Sequence, residues 1–125
     1  MKVLIIGIGI DITELDRIEK LIERQPSFIN RILTKNEKKR YEELSGKRKV
    51  EFVAGRFSTK EAYSKALGTG IGENFSFQDI EVINDKRGKP TIAGLNHTAN
   101  YTIHVSITHS DHYAVAQVIL ESSSS

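Results

Sequence analysis

Residues 3–12 constrain the chain more than any other segment. Leu4, Ile6, Ile8, Ile10 and Ile12 alternate there with Val3, Ile5, Gly7, Gly9 and Asp11. A two-residue period is that of a β-strand. One face is wholly apolar and has to be covered. The other is bare at Gly7 and Gly9, which lets another backbone come close. The apolar run stops at a carboxylate, Asp11. It is far short of the ~20 residues a membrane span needs, and it lacks a small-residue cleavage site. Neither a membrane helix nor a signal peptide is expected, and the expected location is cytoplasmic.

Helical signals follow. Thr13-Glu14-Leu15-Asp16 has the look of a capping box with Asp in its last place. Leu15, Ile18, Leu21 and Ile22 supply an apolar stripe, and Pro26 ends the helix. Residues 27–33 predict a short helical piece. Thr34 and Glu37 form a second capping box, opening a helix to about Leu44. A long helix is predicted from about Lys49 to Leu67, stopped by Gly68. The second half reads as strands: 77–83, a turn over 84–89, a return from Pro90 to Ile92, then 101–108 and 113–120. A strand, then helices, then an antiparallel meander gives an α+β fold. Among 125 residues there is room for one domain, over 1–121, with a low-complexity serine tail at 122–125.

Composition narrows the chemistry. The chain has no cysteine, so disulfides, thiolate metal sites and thiol nucleophiles are excluded. Net charge is +2, but residues 35–60 hold nine basic and four acidic side chains, a local +5. Such a concentration suits either an anionic partner or a solvated helix face.

A few polar residues stand where packing wants apolar ones. On the long helix Val50, Val53, Ala54 and Phe57 mark the buried stripe, and Glu61 and Lys65 continue the row from Phe57. A carboxylate there needs a cation, either Lys65 or a metal. Asp11, at a strand end, suits a turn or a cap as well as a metal. Two carboxylates that met could hold Mg²⁺, which takes one or two of them plus substrate phosphates. His109 ends the apolar face of the 101–110 strand, as an edge histidine or a phosphate donor. Ser106, on the other face of that strand, could suggest a hydrolase pair with His109, but it lacks a nucleophile-elbow pattern, which argues against one. Residues 68–72, Gly-Thr-Gly-Ile-Gly, follow a helix instead of opening one and make a poor nucleotide loop.

Three blocks together resemble the holo-acyl-carrier-protein synthases, the small bacterial type of 4′-phosphopantetheinyl transferase. They are Gly7-Ile8-Gly9-Ile10-Asp11-Ile12 with Glu14 and Arg17; Phe52-x-Ala54-Gly55-Arg56-Phe57-x-x-Lys60-Glu61-Ala62-Tyr63-x-Lys65-Ala66 with residues 68–72; and His104-Val105-Ser106-Ile107-Thr108-His109-Ser110. The likeness runs from about residue 3 to 120 and is poor only over 93–100, expected to be a variable loop or short helix.

The resemblance implies a Mg²⁺-dependent enzyme that moves the 4′-phosphopantetheine arm of coenzyme A to a serine of apo-acyl-carrier protein, releasing 3′,5′-ADP, in support of fatty acid biosynthesis. It implies Asp11 and Glu61 as metal ligands and Lys65 at the pyrophosphate. Arg56 and His109, with Lys47 and Arg48, would contact the nucleotide end; Gly68, Thr69, Gly70 and Pro90 would wall the adenine. It further implies a homotrimer with shared sites, Gly7 and Gly9 at a crowded subunit centre, and the basic stretch facing the cofactor. Arg17 and Arg24, with Phe28, would dock an acidic carrier-protein helix. The competing readings are a coenzyme A-binding regulator without catalysis and a nucleic-acid-binding module. The aromatic residues Phe52, Phe57 and Tyr63 sit at core spacings that disfavour the latter, so neither nucleic acid nor membrane is an expected partner.

Overall fold

The computed structural model describes residues 4–95 and 101–122. Its elements run β1 (Ile5–Glu14), α1 (Leu15–Arg24), α2 (Ser27–Ile32), α3 (Lys35–Glu42), α4 (Lys47–Leu67), β2 (Ile80–Asn84), β3 (Pro90–Gly94), β4 (Tyr101–His109) and β5 (Tyr113–Ser122). The fold is α+β, as the sequence predicts. The later strands do not form one meander, however. β5 lies between β1 and β4 in an antiparallel three-stranded sheet, and β2 and β3 make a separate hairpin. The chain returns to its own first strand because β1 offers an unpaired edge next to an apolar face. Ser122, assigned from sequence to the tail, closes this sheet: its N–H donates to the Leu4 carbonyl at 2.8 Å. Val3, residues 96–100 of the segment expected to be a variable loop or short helix, and the last three serines lie outside the described residues, while Ala93 and Gly94 belong to β3.

α4 is the hub. Gly46 (φ +60°) precedes it and Gly68 (φ +84°) ends it in the left-handed conformation that glycine adopts freely. Its N-terminal half packs against α1, α2 and Phe77, around Ile18, Ile32, Val53 and Ala54. Its C-terminal half covers the sheet through Ala62, Tyr63 and Ala66 against Ala116, Val118 and Leu120. The bare face of β1 meets this half. A Cβ on Gly7 would stand 2.1 Å from the Ala66 carbonyl oxygen, and one on Gly9 1.8 Å from that of Ala62. The close backbone expected at these glycines is that of α4 of the same chain. The opposite face is uncovered in the single chain, with Ile6, Ile8, Ile10 and Ile12 51–64% exposed.

The Thr34–Glu37 capping box forms as predicted. The one at Thr13 does not: β1 continues through Glu14, which caps α1 without a side-chain bond. Lys60, counted from sequence among the basic residues facing an anion, is fully buried. Its Nζ donates to Glu37 Oε1 at 2.6 Å and to the carbonyls of Ile32 at 2.8 Å and Phe77 at 2.9 Å. Glu37 Oε2 in turn accepts from the Val82 N–H at 2.7 Å. A helical row that reads as amphipathic thus hides an ammonium group whose three protons all have acceptors.

Gly9→Ala is expected to cost at least about 2 kcal/mol, because the added methyl meets backbone that cannot move aside. Urea denaturation measures this; a loss under about 0.5 kcal/mol would show that β1 and α4 do not touch as described.

Candidate functional site

Strand alternation carries the bare face of β1 from Gly7 and Gly9 to Asp11 and Thr13, so both of these side chains meet α4. Lys65 Nζ donates to Asp11 Oδ1 at 3.0 Å and to the Ile10 carbonyl at 3.1 Å. The Thr13 hydroxyl donates to Asp11 Oδ2 at 3.0 Å and lies 2.6 Å from the Ser58 hydroxyl. Ser58 and Lys65 stand three residues before and four after Glu61, so the carboxylate of Asp11 is tied to α4 on both sides of Glu61. Asp11 is near enough to act electrostatically on Glu61. Among the described residues the simple Glu61–Lys65 pair does not form, because Lys65 reaches across to Asp11 instead.

Glu61 is half-buried, and among the described residues its carboxylate receives no hydrogen bond or ion pair. Burial first, then the neighbouring Asp11 carboxylate, pushes its pKa above the ordinary value; Lys65, Arg17 and Arg31 pull in the other direction. Two carboxylates that repel each other, one of them unpartnered, are a donor set for a hard cation. Among the described residues no three His, Cys, Asp or Glu cluster together. A metal held here would take the rest of its coordination from water or from a phosphate ligand.

A second feature is a cavity of about 540 Å³ lined by Arg40, Arg48, Phe52, Arg56, Pro90 and His109, among others. Four of the residues expected at the nucleotide end therefore meet: Arg48, Arg56, Pro90 and His109. Arg40, Phe52 and Asn84, which also line it, were not foreseen. Arg56 is mostly buried; its guanidinium lies 4.1 Å from the centre of the Phe52 ring and donates to Asn84 Oδ1 at 2.8 Å. Among the described residues its Nε has no hydrogen-bond partner, and burial lowers its pKa while Glu37 opposes the shift. His109 Nε2 lies 3.6 Å from Glu51 Oε1. Lys47 does not line this cavity; its Nζ stands 3.8 Å from Asp111 on the surface. Gly68, Thr69 and Gly70 do not line it either, since all three N–H groups turn onto the Ser64 carbonyl to close α4.

A third feature is the cleft on the Glu61 side, about 390 Å³, lined by Arg17, Arg31, Phe57 and Ile71 among others. Arg17 lies over the Phe57 ring at 5.9 Å. Arg24 is exposed at the end of α1. Phe28, expected on an exposed docking face, is instead buried against Phe57, with ring centres 5.9 Å apart. α2 turns inward after Pro26 and carries the ring into the core. No helix among the described residues is long and apolar enough to cross a membrane.

Residues 7–118 match the model of the 4′-phosphopantetheinyl transferase superfamily. The chain is 62% identical to a holo-[acyl-carrier-protein] synthase of Anoxybacillus flavithermus over 122 residues, 98% of this chain and all of that one. It is 60% identical to the Bacillus cereus protein of the same name over 121 residues, 97% and 99% of the two chains. Its fold matches the crystal structure of a holo-(acyl-carrier-protein) synthase from Bacillus anthracis in complex with CoA (3′,5′-ADP). There the TM-score is 0.88 at 57% identity, covering 94% of this chain and 97% of that one.

A carboxyl whose folded pKa is raised opposes folding once it ionises. The penalty is absent below the ordinary value of 4.5 and complete above the raised one. With a chelator present, Glu61→Gln is therefore expected to raise the melting temperature at pH 7. The gain should vanish as the pH falls through that window; a gain that is absent, or independent of pH, would contradict the crowding of the two acids.

Proposed function

This chain belongs to the 4′-phosphopantetheinyl transferase superfamily, and from that membership we propose that it transfers the 4′-phosphopantetheine arm of coenzyme A to a serine of apo-acyl-carrier protein. The observation that carries the reading at the site is that Asp11 on β1 acts electrostatically on the half-buried Glu61 of α4, in a chain 62% identical over 98% of its length to a protein named for this reaction. The serine oxygen attacks the phosphorus that bears the pantetheine arm. The bond from that phosphorus to the bridging oxygen breaks, and 3′,5′-ADP leaves with the electron pair. The serine proton passes to a base.

Asp11 and Glu61 would hold Mg²⁺. Their all-oxygen donor set and the unpartnered Glu61 carboxylate fit a hard cation that shares its remaining sites with phosphate and water. When bound, the ion supplies charge neutralisation at the pyrophosphate. The work left to the chain is positioning. Lys65 supplies a point charge beside Asp11, within reach of a phosphate oxygen. Arg48, Arg56 and His109 offer cationic and hydrogen-bonding groups to the nucleotide end, and Pro90 an apolar wall. Glu61 or a water at the site would receive the serine proton. Arg17, in the cleft beside Glu61, and Arg24 would meet an acidic helix of the carrier protein.

The assembly we propose is a homotrimer. Arg56 and Glu61 point roughly 140° apart around α4 at 3.6 residues per turn. The nucleotide cavity of one copy can therefore face the carboxylates of a neighbour more readily than its own. The uncovered isoleucine face of β1 supplies an apolar surface for such an association. The match over residues 7–118 supports reading 1–121 as one transferase domain. The proposed setting is the cytoplasm, in support of fatty acid biosynthesis.

Intact mass spectrometry of apo-acyl-carrier protein, incubated with the enzyme, coenzyme A and Mg²⁺, should show the gain of one phosphopantetheine, abolished by a chelator. Asp11→Ala and Glu61→Ala should each lose transfer while remaining folded; a folded double variant with near-normal turnover would defeat the assignment. His109→Ala should raise the KM for coenzyme A, and an unchanged KM would remove His109 from the nucleotide site.

A further inference from the structure

Asp11 accepts one hydrogen bond on each carboxylate oxygen, from Lys65 and from Thr13. The Thr13 hydroxyl has a single proton, and a carboxylate has none to return, so that proton lies on the Asp11 side. The 2.6 Å contact between Thr13 and Ser58 must then be donated by Ser58. The result is a one-way chain, Ser58 to Thr13 to Asp11, that starts on α4 one turn before Glu61. Both hydroxyls are shut off from water, with Thr13 2% and Ser58 0% exposed. Solvent cannot stand in for either bond, and leaving either unmade is costly.

We propose that Thr13 and Ser58 are positioning residues for the cation site: the donor chain fixes the rotation of the Asp11 carboxylate so that its free lone pairs are presented together with Glu61. This rests on the reading of Asp11 and Glu61 as metal ligands. The geometry separates orientation from anchoring. Thr13 is held by β1 pairing with Ala114, and its branched Cβ restricts the hydroxyl to few rotamers. Lys65 approaches on a long, half-exposed chain and fixes distance better than angle. The rigid partner is therefore Thr13, and the helix-borne proton from Ser58 keeps its oxygen turned the right way. Outer hydrogen bonds of this type are worth roughly 10- to 100-fold in metal affinity elsewhere.

The test uses the whole chain with saturating coenzyme A, and Mn²⁺ as the probe, its free concentration followed by electron paramagnetic resonance. Melting temperature is recorded separately in chelator. Thr13→Val should weaken Mn²⁺ binding about tenfold, whereas Thr13→Ser, which keeps the hydroxyl, should stay within about threefold of the parent. Ser58→Ala should fall between them. Thr13→Val within threefold of the parent, or Thr13→Ser falling as far as Thr13→Val, would overturn the proposal. Thr13→Val strands the Ser58 hydroxyl. If it fails to fold, Thr13→Val with Ser58→Ala removes both groups and is judged by the same limit; if that also fails, Ser58→Ala at parental affinity counts against the proposal. Asp11→Asn is the reference. A parent chain that binds no Mn²⁺ sensitive to Asp11→Asn defeats the metal reading itself, whereas normal Asp11 dependence without Thr13 dependence defeats only this inference.

Discussion

Two glycines set the distance between the first strand and the central helix, and the candidate site is a consequence of that distance. With no side chain at Gly7 or Gly9, β1 lies directly on the backbone of α4 at Ala66 and Ala62. The two elements run in opposite directions, so the next residues on the same face, Asp11 and Thr13, come down beside the preceding turns of the helix. A carboxylate at position 11 then falls within one hydrogen bond of Lys65 and close enough to Glu61 to raise its pKa. Any side chain at the glycines would lift the strand and separate the acids.

The other side of α4 is held by a buried charge. Lys60 follows the opposite face into the interior and ties the ends of α2, α3 and the segment before β2 to one ammonium group. An isolated ion there would be prohibitive, and removing one partner of such a pair typically costs about 3–5 kcal/mol. Because Lys60 and Glu61 are adjacent, the anchored lysine also limits how far α4 can rotate. Glu61 is thereby held towards β1 and the cleft, at an energy cost that its raised pKa records. Consecutive residues thus divide the labour between fixing the helix and offering an unsatisfied charge.

Much of this was legible in the sequence because it depends on period and on local chemistry. Alternation marked β1, and the Thr34–Glu37 box marked the start of α3. A carboxylate on an apolar helical row marked Glu61. What escaped depends on three-dimensional partners. Thr13 satisfies the pattern of a helix cap, yet the strand continues past it and its hydroxyl is taken by Asp11 and Ser58. The two-residue period that grouped Gly7, Gly9 and Asp11 extends to Thr13 and carried the needed signal. Lys60 looked like a surface cation because its acceptors come from residues 17 to 28 positions away. Phe28 looked exposed because nothing local says that α2 turns inward. The resemblance to a family named four residues that line one cavity, Arg48, Arg56, Pro90 and His109, but neither Arg40 nor the Phe52–Arg56–Asn84 arrangement beside them.

The isoleucine face of β1 lies opposite the side that the glycines lay against α4, and it is uncovered in the single chain. The central claim remains local, that one cation is gripped by Asp11 and Glu61 of the same chain. Crystals grown with coenzyme A and Mn²⁺, measured at the manganese absorption edge, test it directly. The account predicts a single anomalous peak within coordination distance of an oxygen from each of the two side chains. A peak bound by only one of them, or by carboxylates of two different copies, would contradict it.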